Sequence, residues 1–253
     1  MEFPPILYED DALVVIAKPA GIHSARLPDG KGGASIADLL VARYPAIGVV
    51  AEKSEDAGLI HRLDSGTSGI LIAAKTATAW SALHEALRAG EITKRYLVVL
   101  EGELVGQHTI ENFLGSPHRR GRKMRGYNYA APRTLQARSS VHPLEFNPHH
   151  GVTLAMVEAP TARRHQVRAH TAALGHPLVG DALYGAKRRL EEVFGSLPDN
   201  YRDGFCLHAT EVVVRHPIDG RTLTIVAPPP PFIGRIFSRC TDHRLCGAGA
   251  LDG

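Results

Sequence analysis

The sequence predicts an α/β chain of the α+β kind, in which β-prone runs alternate irregularly with amphipathic helical patterns. Three observations carry that expectation. Runs rich in Val, Ile and Leu at 13–17, 70–74, 97–100 and 212–214 have the length of strands. Over 36–43 and 77–89, apolar residues recur at spacings of three and four, the period of a helix with one buried face. Hydrophobic residues fill 44% of 253 positions, enough for one large or two small domains with their own cores.

Taken in order, Ile6–Asp10 and Leu13–Ala17 flank an acidic turn and read as a hairpin that Lys18-Pro19-Ala20-Gly21 ends. Residues 28–35 hold Gly30, Gly32 and Gly33 with no Lys-Ser or Lys-Thr behind them, so they form a surface loop and not a phosphate-binding loop. Ile36, Leu39, Leu40 and Arg43 predict a helix, and Ile70–Ala74 a buried strand. Trp80, Leu83 and Leu87 predict a second helix over 77–89, stopped by Gly90. Glu91–Leu100 is β-prone and Val152–Glu158 is a further strand. Thr161 is expected to cap a helix that Gly175 terminates. Leu207–Val214 and Leu223–Val226 form a closing strand pair, and the run Pro228–Pro231 leads to a short helix and a flexible tail over 238–253.

Composition excludes several classes. There is no signal-peptide pattern at Met1–Pro5 and no apolar run near the roughly 20 residues of a membrane span. Three cysteines do not make a disulfide scaffold, so the expected compartment is the reducing cytoplasm. Lys and Arg number 29 against 26 Asp and Glu, a mild excess, but the positive residues are clumped. His84-Glu85-Ala86-Leu87-Arg88 starts like a zinc-protease motif but has Arg where the second His ligand belongs. His165 and His170, five apart, do not share a helical face, and Cys240, His243 and Cys246 offer only three ligands beside a Gly-rich end. No metal site is expected.

Three stretches carry chemistry. In His61-Arg62-Leu63-Asp64, a carboxylate sits beside a guanidinium at a Gly/Ser/Thr-rich turn, Ser65–Gly69, which feeds a strand and can hold an ionised acid at a cleft edge. The plainer alternative is a surface ion pair worth well under ~1 kcal/mol. Arg119, Arg120, Arg122, Lys123 and Arg125 fall within seven positions; such a run repels itself and would be ordered by an anionic partner, its plainer alternative being a solvated loop. The stretch 161–170 adds Arg163, Arg164, His165, Arg168 and His170, a basic surface for the same partner. Tyr96 lies among apolar neighbours and could simply be a buried structural tyrosine.

These stretches occur in an order that resembles a known family. Residues 6–19, His61–Gly69, Lys94-Arg95-Tyr96, Thr161–Arg168, His176-Pro177 and Gly180-Asp181 through Tyr184-Gly185 are similar to the successive motifs of RluA-type RNA pseudouridine synthases, over roughly 6 to 232. The resemblance implies one catalytic domain over 1–237, a long mixed and mostly antiparallel sheet flanked by helices, and a central RNA-binding cleft. No ribosomal-protein-like accessory module is expected before the first hairpin. The implied partner is structured RNA, either tRNA or rRNA, bound by a monomer without cofactor, metal or membrane.

By the same resemblance, Asp64 is the essential carboxylate, either a nucleophile on the sugar or a base at the ribose 2′ position. Arg168 supplies the opposite charge, Tyr96 stacks on the uracil near the proton that must leave carbon 5, and Val167 forms an apolar floor. Arg62 fills the space of the turned-out uridine, while His61, Arg163, His165, Arg119, Arg120, Arg122 and Lys123 hold the RNA. One departure is Ala162 where the family usually has Gly, which would strain the turn if that position needs positive φ. Two rivals remain: a non-catalytic RNA-binding protein, in which an acid in the cleft would repel phosphate, and a metal-dependent hydrolase, for which no ligand spacing is found.

Overall fold

The computed structural model describes residues 2–27, 33–118, 121–202 and 204–241. The first hairpin is β1 (Ile6–Glu9) and β2 (Leu13–Lys18); α1 (Ile36–Arg43), β3 (Ser68–Ala74) and α2 (Ala77–Ala89) follow. Next come β4 (Thr93–Glu101), β5 (His108–Gly115), β6 (Arg125–Tyr127), β7 (Leu135–Asn147) and β8 (Val152–Glu158). The chain then forms α3 (Gln166–Ala173), α4 (Leu190–Phe194), β9 (Leu207–Arg215) and β10 (Thr222–Val226).

Among the described residues the strands build one sheet in the order β1-β2-β3-β9-β4-β8-β7-β5-β6, with β10 on β9. All its pairings are antiparallel except β3 with β9, which touch only at Ser68–His208 and Gly69–Ala209. The free remainder of that β9 edge is taken by β10, so the sheet forks where β3 begins. Gly69 makes the fork possible: its φ is +107°, and a Cβ there would lie 2.2 Å from the Ala209 carbonyl oxygen.

Each predicted element forms for a local reason. In β3 every residue is buried, as expected of an unbroken apolar run covered on both faces. Helix α2 starts on Thr76, whose hydroxyl accepts from the Ala79 amide, and stops at Gly90 in the left-handed region. It sets Ala79 and Leu83 into the core shared with β2, β3 and α1. Strand β4 alternates: Leu97 and Val99 pack toward α4 and Phe232–Phe237, whereas Val98 and Leu100 pack toward Val167 and Leu178. Tyr96 shares this second face, so β4 delivers it to the side where α3 begins.

Three expectations change. Thr161 does not cap the helix. Helix α3 starts at Gln166 behind His165, whose φ is +53°, while the Thr161 hydroxyl accepts from the Arg138 amide and donates to Gln166. The positive φ therefore belongs to His165, and Ala162 carries no such strain. The basic stretch is partly held by the chain itself: Arg125–Tyr127 pair with β5, and the Arg164 guanidinium donates to the Gly121 and Arg122 carbonyls. Arg119 and Arg120, and residues 28–32 of the Gly-rich loop, lie outside the described residues. At the start of the C-terminal tail, Ser238–Thr241 form a 3-10 turn in which the Ser238 and Arg239 amides donate to Glu145.

Candidate active site

The turn that carries Asp64 is pinned from two sides. Lys18, 1% exposed, donates its ammonium to the carbonyls of Pro19, Ser65 and Thr67 at 2.9, 3.2 and 2.8 Å. Ser24 Oγ donates to the Leu63 carbonyl and accepts from its amide, and the Gly21 amide donates to Ser65. Burial draws the Lys18 pKa down to about 7, with the Asp64 charge opposing. A buried ammonium that satisfies three carbonyls of one turn fixes the backbone on both sides of Asp64.

Asp64 itself is 24% exposed at the wall of a cleft of about 1060 Å³. Arg168, on the first turn of α3, donates Nη1 to Asp64 Oδ2 at 3.0 Å. Its other nitrogens are committed: Nε and Nη2 grip Asp181 at 2.6 and 2.8 Å, with the Asp181 side chain 1% exposed. The guanidinium lies over the rings of Phe205 and Tyr184 at 4.2 and 5.1 Å. Burial works against its charge, but Asp181 and Asp64 outweigh burial and raise its pKa further. The result is a planar cation, fixed on three sides, with one hydrogen bond to spend on Asp64.

His165 Nε2 lies 3.8 Å from Asp64 Oδ1, and its Nδ1 is 3.1 Å from the Tyr184 hydroxyl. Burial lowers its pKa, with Arg168 and Arg164 acting the same way and Asp64 opposing, so neutral imidazole and not a second cation faces the carboxylate. Tyr96 lines the same cleft; burial and the Asp64 charge both push its pKa far above the usual tyrosine range, so its hydroxyl keeps its proton. Val167, 5% exposed, packs in the cluster that Tyr96 joins and supplies an apolar surface beside it.

The remaining predicted residues are placed unequally. Arg62 is 68% exposed and, among the described residues, has only Asp56 as an ion-pair partner, at 3.9 Å, so its side chain is available at the cleft mouth and is not paired with Asp64. Arg163 donates to the Gln136 carbonyl at 2.9 Å, and Arg122 lines the cleft. Lys123 lies over the Tyr184 ring. His61 turns inward: among the described residues its Nε2 is buried without a hydrogen-bond partner, and burial together with the Lys94 charge draws its pKa to about 3. Sequence reasoning gave no role to Lys18, Asp181 or Tyr184. The one hint for Lys18 was its place at the end of the apolar run Leu13–Ala17.

No metal or membrane reading gains support. Among the described residues no group of three or more His, Cys, Asp or Glu could hold a metal, and no helix is long and apolar enough to cross a membrane. His243, Cys246 and the side chain of Cys240 lie outside the described part. Cys206 is buried in the core.

Comparison with known proteins identifies the family. The sequence profile named RNA pseudouridylate synthase matches residues 12–173. A ribosomal large subunit pseudouridine synthase D from Xanthomonas campestris pv. campestris is 34% identical over 244 residues, covering 92% of this chain and 68% of the relative. The protein of that name from Escherichia coli O157:H7 is 34% identical over 232 residues, covering 89% and 67%. The chain thus spans about two thirds of the length of these relatives. Two solved structures share the fold: human RNA pseudouridylate synthase domain containing 1, with TM-score 0.67, 24% identity and coverage of 94% and 87%, and domain containing 4, with TM-score 0.66, 20% identity and coverage of 93% and 92%.

Proposed function

This chain belongs to the RNA pseudouridylate synthase family, and from that premise we propose that it isomerises a uridine of large-subunit ribosomal RNA, with Asp64 as the reacting carboxylate. The choice of rRNA over tRNA rests on the names of its relatives. The reaction breaks the bond from uracil N1 to ribose C1′, turns the base, joins C5 to C1′, and moves the C5 proton to solvent while N1 gains one. Atoms and electrons balance without a cofactor.

The observation that carries the assignment is the Asp64–Arg168–Asp181 chain, in which one buried guanidinium, locked by Asp181, holds a partly exposed carboxylate in a cleft. That arrangement holds the Asp64 carboxylate in a fixed position beside a cation, as either a nucleophile at C1′ or a base at the 2′ position requires. Tyr96 stacks on the uracil with Val167 beside it. A phenol that holds its proton this firmly receives the C5 proton only as part of a relay, and Asp64 is the nearby anion whose charge acts on it. Turning the uridine out of its stack costs a few kcal/mol, which the exposed Arg62 offsets by entering the space left behind. Arg163, Arg164, Arg122 and Lys123 meet the phosphates. Asp64, Tyr96 and Arg168 come from one chain, so a monomer can supply the whole site, and a ribosomal substrate fits a cytoplasmic enzyme.

The test is tritium release from carbon-5-labelled uridine in rRNA taken from cells lacking this gene. Release at equal rates with and without chelator is expected, since the isomerisation requires no Lewis acid. Release absent from both reactions refutes the proposal.

A further inference from the structure

Helix α2 presents to the cleft a surface that none of the residues above uses. Its Ala79 and Leu83 are buried in the core, and Trp80, His84 and Leu87, on successive turns, line the same cleft as Asp64. The Trp80 and His84 rings stack, with centroids 4.5 Å apart and planes 15° from parallel. Trp80 Nε1 donates to the Leu59 carbonyl, two residues before His61, which sets the rings in register with the segment that ends at Asp64. Arg26, Lys53 and Arg62 line the same cleft, together with Glu55 and Asp56, which cancel some of their charge.

We propose that the stacked Trp80–His84 pair is a ledge on which an unpaired nucleobase of the substrate RNA, flanking the target uridine, stacks. The inference rests on reading the chain as an RNA pseudouridine synthase. Flat π surfaces beside cations fit a base with its phosphate nearby, and they are sequence-tolerant because every base has a π face. With the local charge nearly balanced, the ledge adds affinity by stacking and not by counterion release. A pair serving only to stabilise α2 would lower the melting point when broken and leave RNA binding untouched.

The protein's single tryptophan makes the ledge its own reporter. Wild type, His84→Ala and His84→Phe are titrated with a single-stranded RNA oligonucleotide spanning the uridine mapped as the target, and Trp80 emission, KM, kcat and salt dependence are followed. Saturable quenching in wild type is expected. His84→Ala should raise KM about tenfold, the size of one base–aromatic stack. Its kcat and salt slope should stay unchanged, and His84→Phe should restore KM. If His84→Ala also melts earlier, the quenching and the Phe variant decide. An active wild-type enzyme with unquenched Trp80, or His84→Phe and His84→Ala with wild-type KM, overturns the ledge. A wild type inactive on total RNA overturns the reading beneath it.

Discussion

Replacing Arg168 by Met separates the two tasks of the guanidinium. The side chain is 8% exposed and makes two bonds to Asp181 and one to Asp64, so its loss leaves Asp181, 1% exposed, as an uncompensated buried carboxylate. Breaking a buried pair from one side costs roughly 3–5 kcal/mol. In a domain of this size that lowers the melting temperature by about 6–20 °C. Turnover falls for a different reason. At 3.0 Å and an effective dielectric near 20, the Arg168–Asp64 attraction is roughly 5 kcal/mol. Sharing the cation with Asp181 and the partial exposure of Asp64 reduce it to about half, still on the order of 10²-fold in rate. The double variant Arg168→Met/Asp181→Leu removes both buried charges at similar summed volume, so it should regain most of the stability. Its turnover should stay down by the same factor, because Asp64 still lacks its cation. Urea unfolding followed by Trp80 emission, with tritium release alongside, measures both. Recovered turnover in the double variant would refute the positioning of Asp64 by Arg168.

Three further outcomes follow from the same geometry. Replacing Arg119, Arg120, Arg122 and Lys123 with Gln should weaken binding to every RNA alike and, with two or three phosphates no longer neutralised, make the slope of log affinity against log salt shallower by about 1.5–2.5; an unchanged slope would show that the arm does not touch phosphate. Tyr96→Phe should lower kcat far more than it raises KM, since the ring still stacks, and equal changes in both would mark a structural tyrosine. Asp10 is pushed up by burial but pulled down further by Tyr8, by the Leu13 and Ala12 amides and by His216, to about 2; its contribution, on the order of 2 kcal/mol, should be present above pH ~4 and vanish as pH falls through 2. A stability difference between wild type and Asp10→Asn that persists at pH 2 would contradict this.

How much the sequence disclosed depended on the range of the interaction. The first hairpin, α2 with its Gly90 stop, and the buried β3 are written in local periodicity, and the structure has them where the pattern puts them. Asp64 and Arg168, 104 residues apart, were joined only through the resemblance, and they meet at hydrogen-bond distance. Asp181 was missed because nothing in its neighbours tells a carboxylate that grips a guanidinium from one that caps a turn. Lys18 was missed because a lysine before Pro19 reads as a solvated strand end, and its three carbonyl partners lie up to 49 residues away. At α3 the usual preference for Thr as a cap lost to a tertiary bond, Gln166 reaching back to Ser139 and Arg138, which left His165 in the left-handed conformation.

Asp64→Asn tests the central claim most directly, because it removes the charge and keeps the shape of a side chain that is partly exposed and therefore tolerates the change. Pseudouridine is quantified in rRNA from cells lacking the gene after incubation with pure wild-type or variant protein, and binding to the same RNA is measured in parallel. The account predicts no detectable product from the variant with RNA affinity within a few-fold of wild type. Turnover near the wild-type rate would contradict it and remove Asp64 from the chemistry.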